Sequence, residues 1–223
     1  MARPRAATFD SQRAGILQTA AQLFAAQGYA STSMAAVAKA RGMSKALLYH
    51  YYRDKQHILF DIADCYMDLL LEIVAEVDAQ ALGPAQRLHA LVARFMRTYE
   101  HAQPQHVVLV QDVKFLSVVD RRRILAKERR VVDAFARVIA VLKPRFRIDQ
   151  LEVPLTMILF GMINWTFTWL RPRGRLTYRD MADIVSEIFL RGILGPAPAQ
   201  TTTRSRRARI DEVPAPTNRG SAT

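Results

Sequence analysis

One stretch, residues 32–55, places the strongest constraint on the fold of this 223-residue chain. It reads TSMAAVAKARGMSKALLYHYYRDK, which is two short helical segments around a tight turn, followed by the start of a third. Ser33 can cap the first helix, Gly42 can end it in a left-handed conformation, and Ser44 can cap the second. Caps at this spacing predict a helix-turn-helix.

The second helix of this motif has an unusual outward face. On a helical wheel its inward residues are Leu48, Tyr51 and Tyr52. The opposite side carries Ala46 and His50, with Leu47 and Tyr49 on the flanks. Lys45 and Lys55 each open a helix, where a cation and free backbone N–H groups suit phosphate oxygens. We therefore expect this segment to bind DNA.

The charge distribution supports that expectation. The chain carries a formal net charge of +12, which makes nucleic acid or another anionic surface a plausible partner. Residues 1–55 contain eight Lys and Arg side chains against Asp10 and Asp54, so this quarter of the chain holds half of the excess. The basic region and the helix-turn-helix pattern coincide.

Several classes of protein are disfavoured by composition. Cys65 is the sole cysteine, which excludes an intrachain disulfide and a cysteine-based zinc site, and its apolar helical context predicts a buried thiol. The N-terminus lacks an apolar signal core, and the apolar run within 153–170 is short for a membrane span. We expect a cytoplasmic protein without a membrane segment.

Helical periodicity runs through nearly the whole chain, and no alternating strand pattern persists. The expected architecture is all-α, with about nine helices and a first helix capped at Asp10 or Ser11. Four segments are predicted: a disordered basic arm (1–9), a DNA-binding domain (10–55), a ligand-binding and dimerisation domain (56–195) and a disordered tail rich in Pro, Thr and Arg (196–223).

Residues 16–55 resemble the N-terminal domain of the tetracycline-repressor (TetR/AcrR) family. The segments AAQLFAAQGY, TSMAAVA and GMSKALLYHYYRDK carry this resemblance, which joins three helices, their caps and the trailing lysine without a gap. The resemblance implies a homodimeric, all-helical transcription factor, usually a repressor, that binds a palindromic operator in double-stranded DNA. It also implies a C-terminal domain that binds a small-molecule effector.

Position by position, the resemblance implies phosphate contacts for Ser33 and Lys55, a cap of the recognition helix for Ser44, and base or backbone contacts for its exposed side chains. The full set of expected DNA-binding residues is Thr32, Ser33, Ser44, Lys45, Ala46, Leu47, Tyr49, His50 and Lys55. Two positions depart from the family pattern, because Ala46 stands where glycine is common and Leu47 where a small or hydroxylated residue is commoner. Leu47 could contact a thymine methyl group or lie against the sugar–phosphate wall.

Residues 160–176, FGMINWTFTWLRPRGRL, resemble a subgroup of these repressors that responds to acyl-coenzyme A thioesters. Residues 155–170 are apolar around the whole helix, so they must be covered by core, by a partner subunit or by ligand. Asn164 requires a hydrogen-bond partner there, either in the protein or in the ligand. The expected ligand-binding residues are Tyr99, Phe115, Phe160, Met162, Asn164, Trp165, Trp169 and Arg171.

Some of these assignments have simpler structural alternatives. Trp165 and Trp169 are explained more simply as core aromatics, and Asn164 by a bond to backbone or to a symmetry mate. Arg171, Arg173 and Arg175 could bind the phosphates of coenzyme A or could be solvated. The basic run of residues 121–130 is most simply a solvated face.

Competing functions receive less support. The sequence contains no phosphate-binding glycine loop, zinc-protease motif or nucleophile elbow, so we expect no enzymatic activity, no metal site and no cofactor. A nonspecific architectural DNA-binding protein would not need the large aromatic C-terminal half. Within the regulator class, a repressor of drug efflux that responds to a free lipophilic ligand is the main alternative, because its pocket would also be apolar and aromatic.

Overall fold

The computed structural model describes residues 3–148, 150–171 and 174–195, with side chains from residue 9 onward except residue 147. All regular structure in these ranges is helical, which confirms the all-α prediction. The α-helices are α1 (Arg3–Gln27), α2 (Met34–Arg41), α3 (Lys45–Tyr51), α4 (Lys55–Asp78), α5 (Pro84–His101), α6 (Gln103–Asp112), α7 (Val118–Leu142), α8 (Arg145–Ile148), α9 (Glu152–Asn164) and α10 (Tyr178–Leu194). Two 3-10 helices, Val113–Phe115 and Trp165–Thr168, follow α6 and α9.

The first three helices form a small domain around an apolar centre. Helix α2 packs against α1 and α3, and α1 also packs against α4. Phe24, Val37, Leu48 and Tyr52 are fully or almost fully buried between them. Burial of large apolar side chains from each helix is what holds such short helices, because helices this short are marginal in isolation.

The caps of α2 and α3 at Ser33, Gly42 and Ser44 are those that the sequence predicts. The Ser33 and Ser44 hydroxyls accept hydrogen bonds from the backbone N–H three residues later, at 3.1 Å in each case. Gly42 ends α2 with φ of 69°, a left-handed conformation that favours glycine. Asp54 caps α4 by accepting from the backbone N–H of His57 at 2.8 Å. These contacts fix the angle between α2 and α3.

Helices α4 to α10 form the larger part of the molecule. Helix α5 packs against α10, α7 packs against α4, α5 and α9, and α6 lies between α1 and α4. Phe95, Phe135 and Phe160 interlock at the centre with ring centroids 4.9 to 6.5 Å apart. Because α4 and α6 contact both parts, they join the DNA-binding region to this core.

Three expectations about elements and burial were wrong. Helix α1 begins at Arg3, so residues 3–9 are helical instead of forming a disordered arm that ends at an Asp10 or Ser11 cap. Helix α9 ends at Asn164 and the chain tightens into a 3-10 turn instead of continuing to residue 170. Cys65 is exposed, because it lies on the outer face of α4. The predicted disordered tail lies outside the described residues.

Candidate DNA-binding face and effector cavity

Helix α3 exposes the side chains that the sequence analysis placed on its outer face. Leu47 and Tyr49 each keep 45% of their surface accessible, although both are large and hydrophobic. Lys45, Ala46 and His50 are exposed beside them, whereas Leu48 is fully buried. Exposed leucine and tyrosine next to a lysine form a surface with both apolar and cationic groups, which suits base edges and phosphates in a major groove.

Ser33 and Ser44, which cap α2 and α3, are both exposed. Each hydroxyl oxygen accepts its capping bond, so its hydrogen stays available to donate to a phosphate oxygen. The Lys45 ammonium nitrogen lies 5.9 Å from the centre of the Tyr49 ring, at the same end of α3. Seven of the nine expected DNA-binding residues are therefore exposed, either on α3 or at the caps of α2 and α3: Ser33, Ser44, Lys45, Ala46, Leu47, Tyr49 and His50.

Thr32 and Lys55 do not belong to that surface. Thr32 is 1% exposed, and its hydroxyl donates to the Gly28 carbonyl at 2.9 Å. The Lys55 ammonium donates to the carbonyl oxygens of Tyr29 at 2.6 Å, Thr32 at 2.7 Å and Ala30 at 3.3 Å. All three of its N–H donors are thereby used within the protein. We revise both residues from DNA contacts to supports of the loop between α1 and α2.

An ion pair that the sequence analysis missed braces the recognition helix. Arg13 on α1 pairs with the buried carboxylate of Asp61 on α4 and donates to the Tyr52 hydroxyl at 3.0 Å. These bonds raise the pKa of Arg13, and burial raises the pKa of Tyr52. Tyr51, expected to point inward, is half-buried and stacks on Phe9 with ring centroids 4.7 Å apart.

An inner cavity of about 250 Å³ lies in the larger part of the molecule. Its walls come from α4, α5, α6, α7 and α9, and its lining residues are Met67, Leu70, Phe95, Tyr99, His106, Leu109, Val110, Glu128, Val131, Val132, Met157, Phe160 and Asn164. Most of the wall is apolar or aromatic, with a few polar groups, which is the usual composition of a small-molecule site.

Three polar residues of the inner cavity, Tyr99, His106 and Asn164, are connected to one another. The Tyr99 hydroxyl donates to Asn164 Oδ1 at 2.8 Å, and the Tyr99 ring stacks on His106 with centroids 3.9 Å apart. His106 Nε2 lies 3.4 Å from the Asn164 carbonyl oxygen, and Nδ1 lies 3.3 Å from the Tyr66 hydroxyl. Burial lowers the pKa of His106 to about 4, so its ring is neutral near pH 7.

Three of the expected ligand-binding residues line this cavity, namely Tyr99, Phe160 and Asn164. Trp165 and Trp169 are 65% and 48% exposed, so they are neither cavity residues nor core aromatics within one chain. Met162 packs against the core from outside the cavity, and Arg171 is exposed away from it. Arg173 lies outside the described residues. Sequence reasoning missed His106, Glu128 and Met157 as cavity residues.

Phe115 lies in a second, more open cleft. This outer cleft, of about 670 Å³, lies between the loop that follows α1 (Gly28–Ala30) and the segment from α6 to α7 that includes Lys114, Phe115 and Arg121. Tyr29 stacks on Phe115 with centroids 5.2 Å apart, and the Gln56 side chain donates to the Phe115 carbonyl at 3.1 Å. Leu109, Val110 and Glu128 line both spaces, so the outer cleft leads towards the inner cavity.

The described ranges contain neither a cluster of metal ligands nor a membrane-spanning helix. No group of three or more His, Cys, Asp or Glu side chains there could hold a metal ion. No helix among the described residues is both long and apolar enough to cross a lipid bilayer.

A capped helix-turn-helix with an exposed recognition helix, joined to a larger helical part that encloses a cavity, defines a DNA-binding regulator class. Residues 16–62 match the family model described as bacterial regulatory proteins, tetR family. Residues 81–193 match the model described as tetracyclin repressor-like, C-terminal domain. The second match alone spans half of the chain. The chain therefore belongs to the TetR family of transcriptional regulators.

Individual relatives agree with this membership. A TetR-family regulator from Bordetella parapertussis is 32% identical, with a TM-score of 0.78 over 84% of this chain and 98% of that one. The transcriptional repressor KstR2 of Rhodococcus jostii is 29% identical over 84% of this chain and 93% of its own length. AibR, solved in complex with isovaleryl coenzyme A and operator DNA, is 28% identical, with a TM-score of 0.69 over 79% of this chain and 97% of that one.

Proposed function

We propose that this protein is a cytoplasmic repressor that binds a palindromic operator as a homodimer and is released by an acyl-coenzyme A effector. Residues 10–55 would form its DNA-binding domain and residues 56–195 its effector and dimerisation domain. The observation that carries the proposal is the pairing of an exposed α3 face with an aromatic cavity that continues into a cleft at the domain junction.

The α3 face would provide direct readout in the major groove. Leu47, at 45% exposure, would contact a thymine methyl group or the groove wall, and His50 would donate a hydrogen bond to a base edge. Lys45, Ser33 and Ser44 would bind phosphates and fix the register. The hydrogen-bonding groups on this face are few, so DNA shape and half-site spacing would carry part of the specificity.

The dimer would form through exposed apolar residues of α9 and α10. Ile158 and Ile188 are each 58% exposed, Met157 is 55% exposed and Ile184 is 38% exposed. An apolar surface shared by two adjacent helices suits an isologous contact with a second copy. Leu159 and Phe189, on the same two helices, are buried within the chain and would take no part. Because Met157 also lines the inner cavity, the partner subunit would cover one side of that cavity.

The effector would place its acyl group in the inner cavity. The volume of about 250 Å³ lies below the range of roughly 300–1,000 Å³ typical of sites for drug-sized ligands, so a short acyl or aryl-acyl group fits best. AibR provides a precedent, since it was solved with a five-carbon acyl thioester. The long coenzyme A portion would extend through the outer cleft, where Lys114 and Arg121 are available to its phosphates.

Release would follow from a population shift. Met67 and Leu70 of α4 line the cavity, and the same helix begins at Lys55 beside the loop that supports α2. A ligand that favours a different position of α4 would move the two recognition helices of the dimer out of register with successive major grooves.

Two experiments test this proposal. Footprinting should show one protected palindrome with half-sites about 34–36 Å apart, and uniform coating of unrelated DNA would contradict it. The protein–operator complex is then titrated with phenylacetyl-coenzyme A, a long-chain acyl-coenzyme A, the free acids and cationic drugs. Release by a short thioester supports the proposal, whereas release by free drugs alone favours a regulator of drug efflux.

A further inference from the structure

Glu128 occupies a distinctive position on α7. It lines both the outer cleft and the inner cavity, at the neck where the two spaces share their walls. Its neighbours at this neck, Leu109 and Val110, are aliphatic. A ligand that spans the two spaces along these shared walls would lie beside this carboxylate.

Glu128 has no ion-pair or hydrogen-bond partner among the described residues. The nearby Lys127, one position earlier in the chain, pairs instead with Asp64 and Asp68 of α4. Arg121, also at the outer cleft, attracts the Glu128 charge only at longer range. Partial burial raises the pKa of Glu128 despite that attraction. An unpaired carboxylate in an apolar neck needs a hydrogen-bond donor to satisfy it.

We propose that Glu128 selects the effector by charge at this neck, accepting a hydrogen bond from a ligand N–H and excluding ligands that carry a carboxylate there. A second carboxylate beside Glu128 would face a like charge at short range, and the partial burial of Glu128 makes that repulsion stronger than it is in bulk water. An amide or a thioester of the same acid carries no such charge. The coenzyme A arm also contains amide N–H groups that can donate to Glu128. The identity of the effector as a thioester rests on the proposed function. The selection by charge at Glu128 does not depend on it.

The test uses three ligands that share a benzyl group and differ in charge: phenylacetate, phenylacetamide and phenethylamine. Their affinities for the full-length protein are measured by isothermal titration calorimetry at pH 7. The wild type should bind phenylacetamide about tenfold or more tightly than phenylacetate, as one uncompensated like charge requires. Glu128→Gln should largely remove that difference by improving the binding of phenylacetate.

Two further variants serve as controls. Asp133→Asn removes the same charge from an exposed position on α7 outside both spaces, and it should leave the preference unchanged. Glu128→Asp keeps the charge and should keep the preference, which separates charge from a general disturbance of the cavity. Circular dichroism and thermal unfolding verify that each variant is folded.

The outcomes separate this inference from the proposed function. Equal or tighter binding of phenylacetate by the wild type would overturn the inference, as would an unchanged preference in Glu128→Gln or no detectable binding of any of the three ligands. If phenethylamine is preferred and Glu128→Gln loses that preference, Glu128 does select by charge, but a cationic effector replaces the thioester. Failure of thioesters to release DNA leaves the selection against carboxylates intact.

Discussion

Replacing Lys55 by methionine distinguishes a phosphate contact from a structural support. The ammonium group donates to the carbonyls of Tyr29 and Thr32 at 2.6 and 2.7 Å and to Ala30 at 3.3 Å, and it lies 4.2 Å from the centre of the Tyr29 ring. Methionine keeps most of the apolar stem but removes all of these interactions. The loop between α1 and α2 would lose its link to the start of α4.

The expected cost follows from the two short bonds. A hydrogen bond from a charged donor contributes about 1.5–3 kcal/mol, and a cation–π contact at a partly exposed site about 0.5–1 kcal/mol. Water can reach part of this loop and will replace some of the lost bonding, so we take the lower end for each. Lys55→Met should therefore reduce the free energy of unfolding by about 3.5 kcal/mol, measured by urea denaturation with the m-value checked for constancy.

DNA binding provides the second half of the test. Operator affinity is measured by fluorescence anisotropy over a range of salt concentrations, since each phosphate contact contributes about 0.9 to the slope of log K against log salt. Lys45→Met should reduce this slope by about 0.9 for each protomer without loss of stability. Lys55→Met should leave the slope unchanged. A reduced slope with unaltered stability in Lys55→Met would refute the structural role and restore the phosphate contact inferred from the sequence.

Three further changes test the recognition face, the buried histidine and the dimer. Leu47→Ala and His50→Ala should alter the preferred operator in selection from a random DNA pool while changing stability by less than about 0.5 kcal/mol, and a uniform loss of affinity for every sequence would contradict base readout. His106 has a pKa of about 4 in the folded protein, below its ordinary 6.5. Its contribution to the free energy of unfolding is therefore complete above pH 6.5 and is lost as the pH falls towards 4. The unfolding free energy of the wild type should fall by about 3 kcal/mol more than that of His106→Gln over this interval in urea titrations, and parallel pH profiles would exclude the assignment. Ile188→Glu should yield a folded monomer by light scattering that no longer protects the palindrome; a persistent dimer would place the interface elsewhere.

Local features of the DNA-binding domain could be predicted from the sequence because each is decided within a few residues. The caps at Ser33, Ser44 and Asp54 involve a side chain and a backbone N–H three positions later. Gly42 needs only its own backbone conformation. The period of α3 likewise decides that Leu48 is buried and Leu47 exposed.

Features that depend on distant segments could not be predicted in this way. Lys55 bonds to carbonyls 23 to 26 positions earlier in the chain, and nothing near it in sequence marks those partners. Burial of Trp165 and Trp169 was expected on a helix that continues to residue 170, whereas the chain changes to a 3-10 turn after Asn164 and both side chains are exposed. Tyr99 and Asn164 meet across α5 and α9, so their hydrogen bond is visible only once those helices pack.

Because the inner cavity and the outer cleft share walls, binding of an effector can be distinguished experimentally from release of DNA. The loop Gly28–Ala30 forms a wall of the outer cleft and also supplies two of the carbonyls that hold Lys55. A ligand confined to the inner cavity reaches the DNA-binding domain only through α4, whereas one that fills both spaces also pushes on this loop directly. Coupling free energies between sites are typically about 1–3 kcal/mol, comparable to the bonds that hold the loop. At saturation, measured by calorimetry, phenylacetyl-coenzyme A should therefore weaken operator binding in anisotropy titrations by about tenfold more than phenylacetamide does. Equal weakening by the two saturated ligands would show that α4 alone transmits the signal.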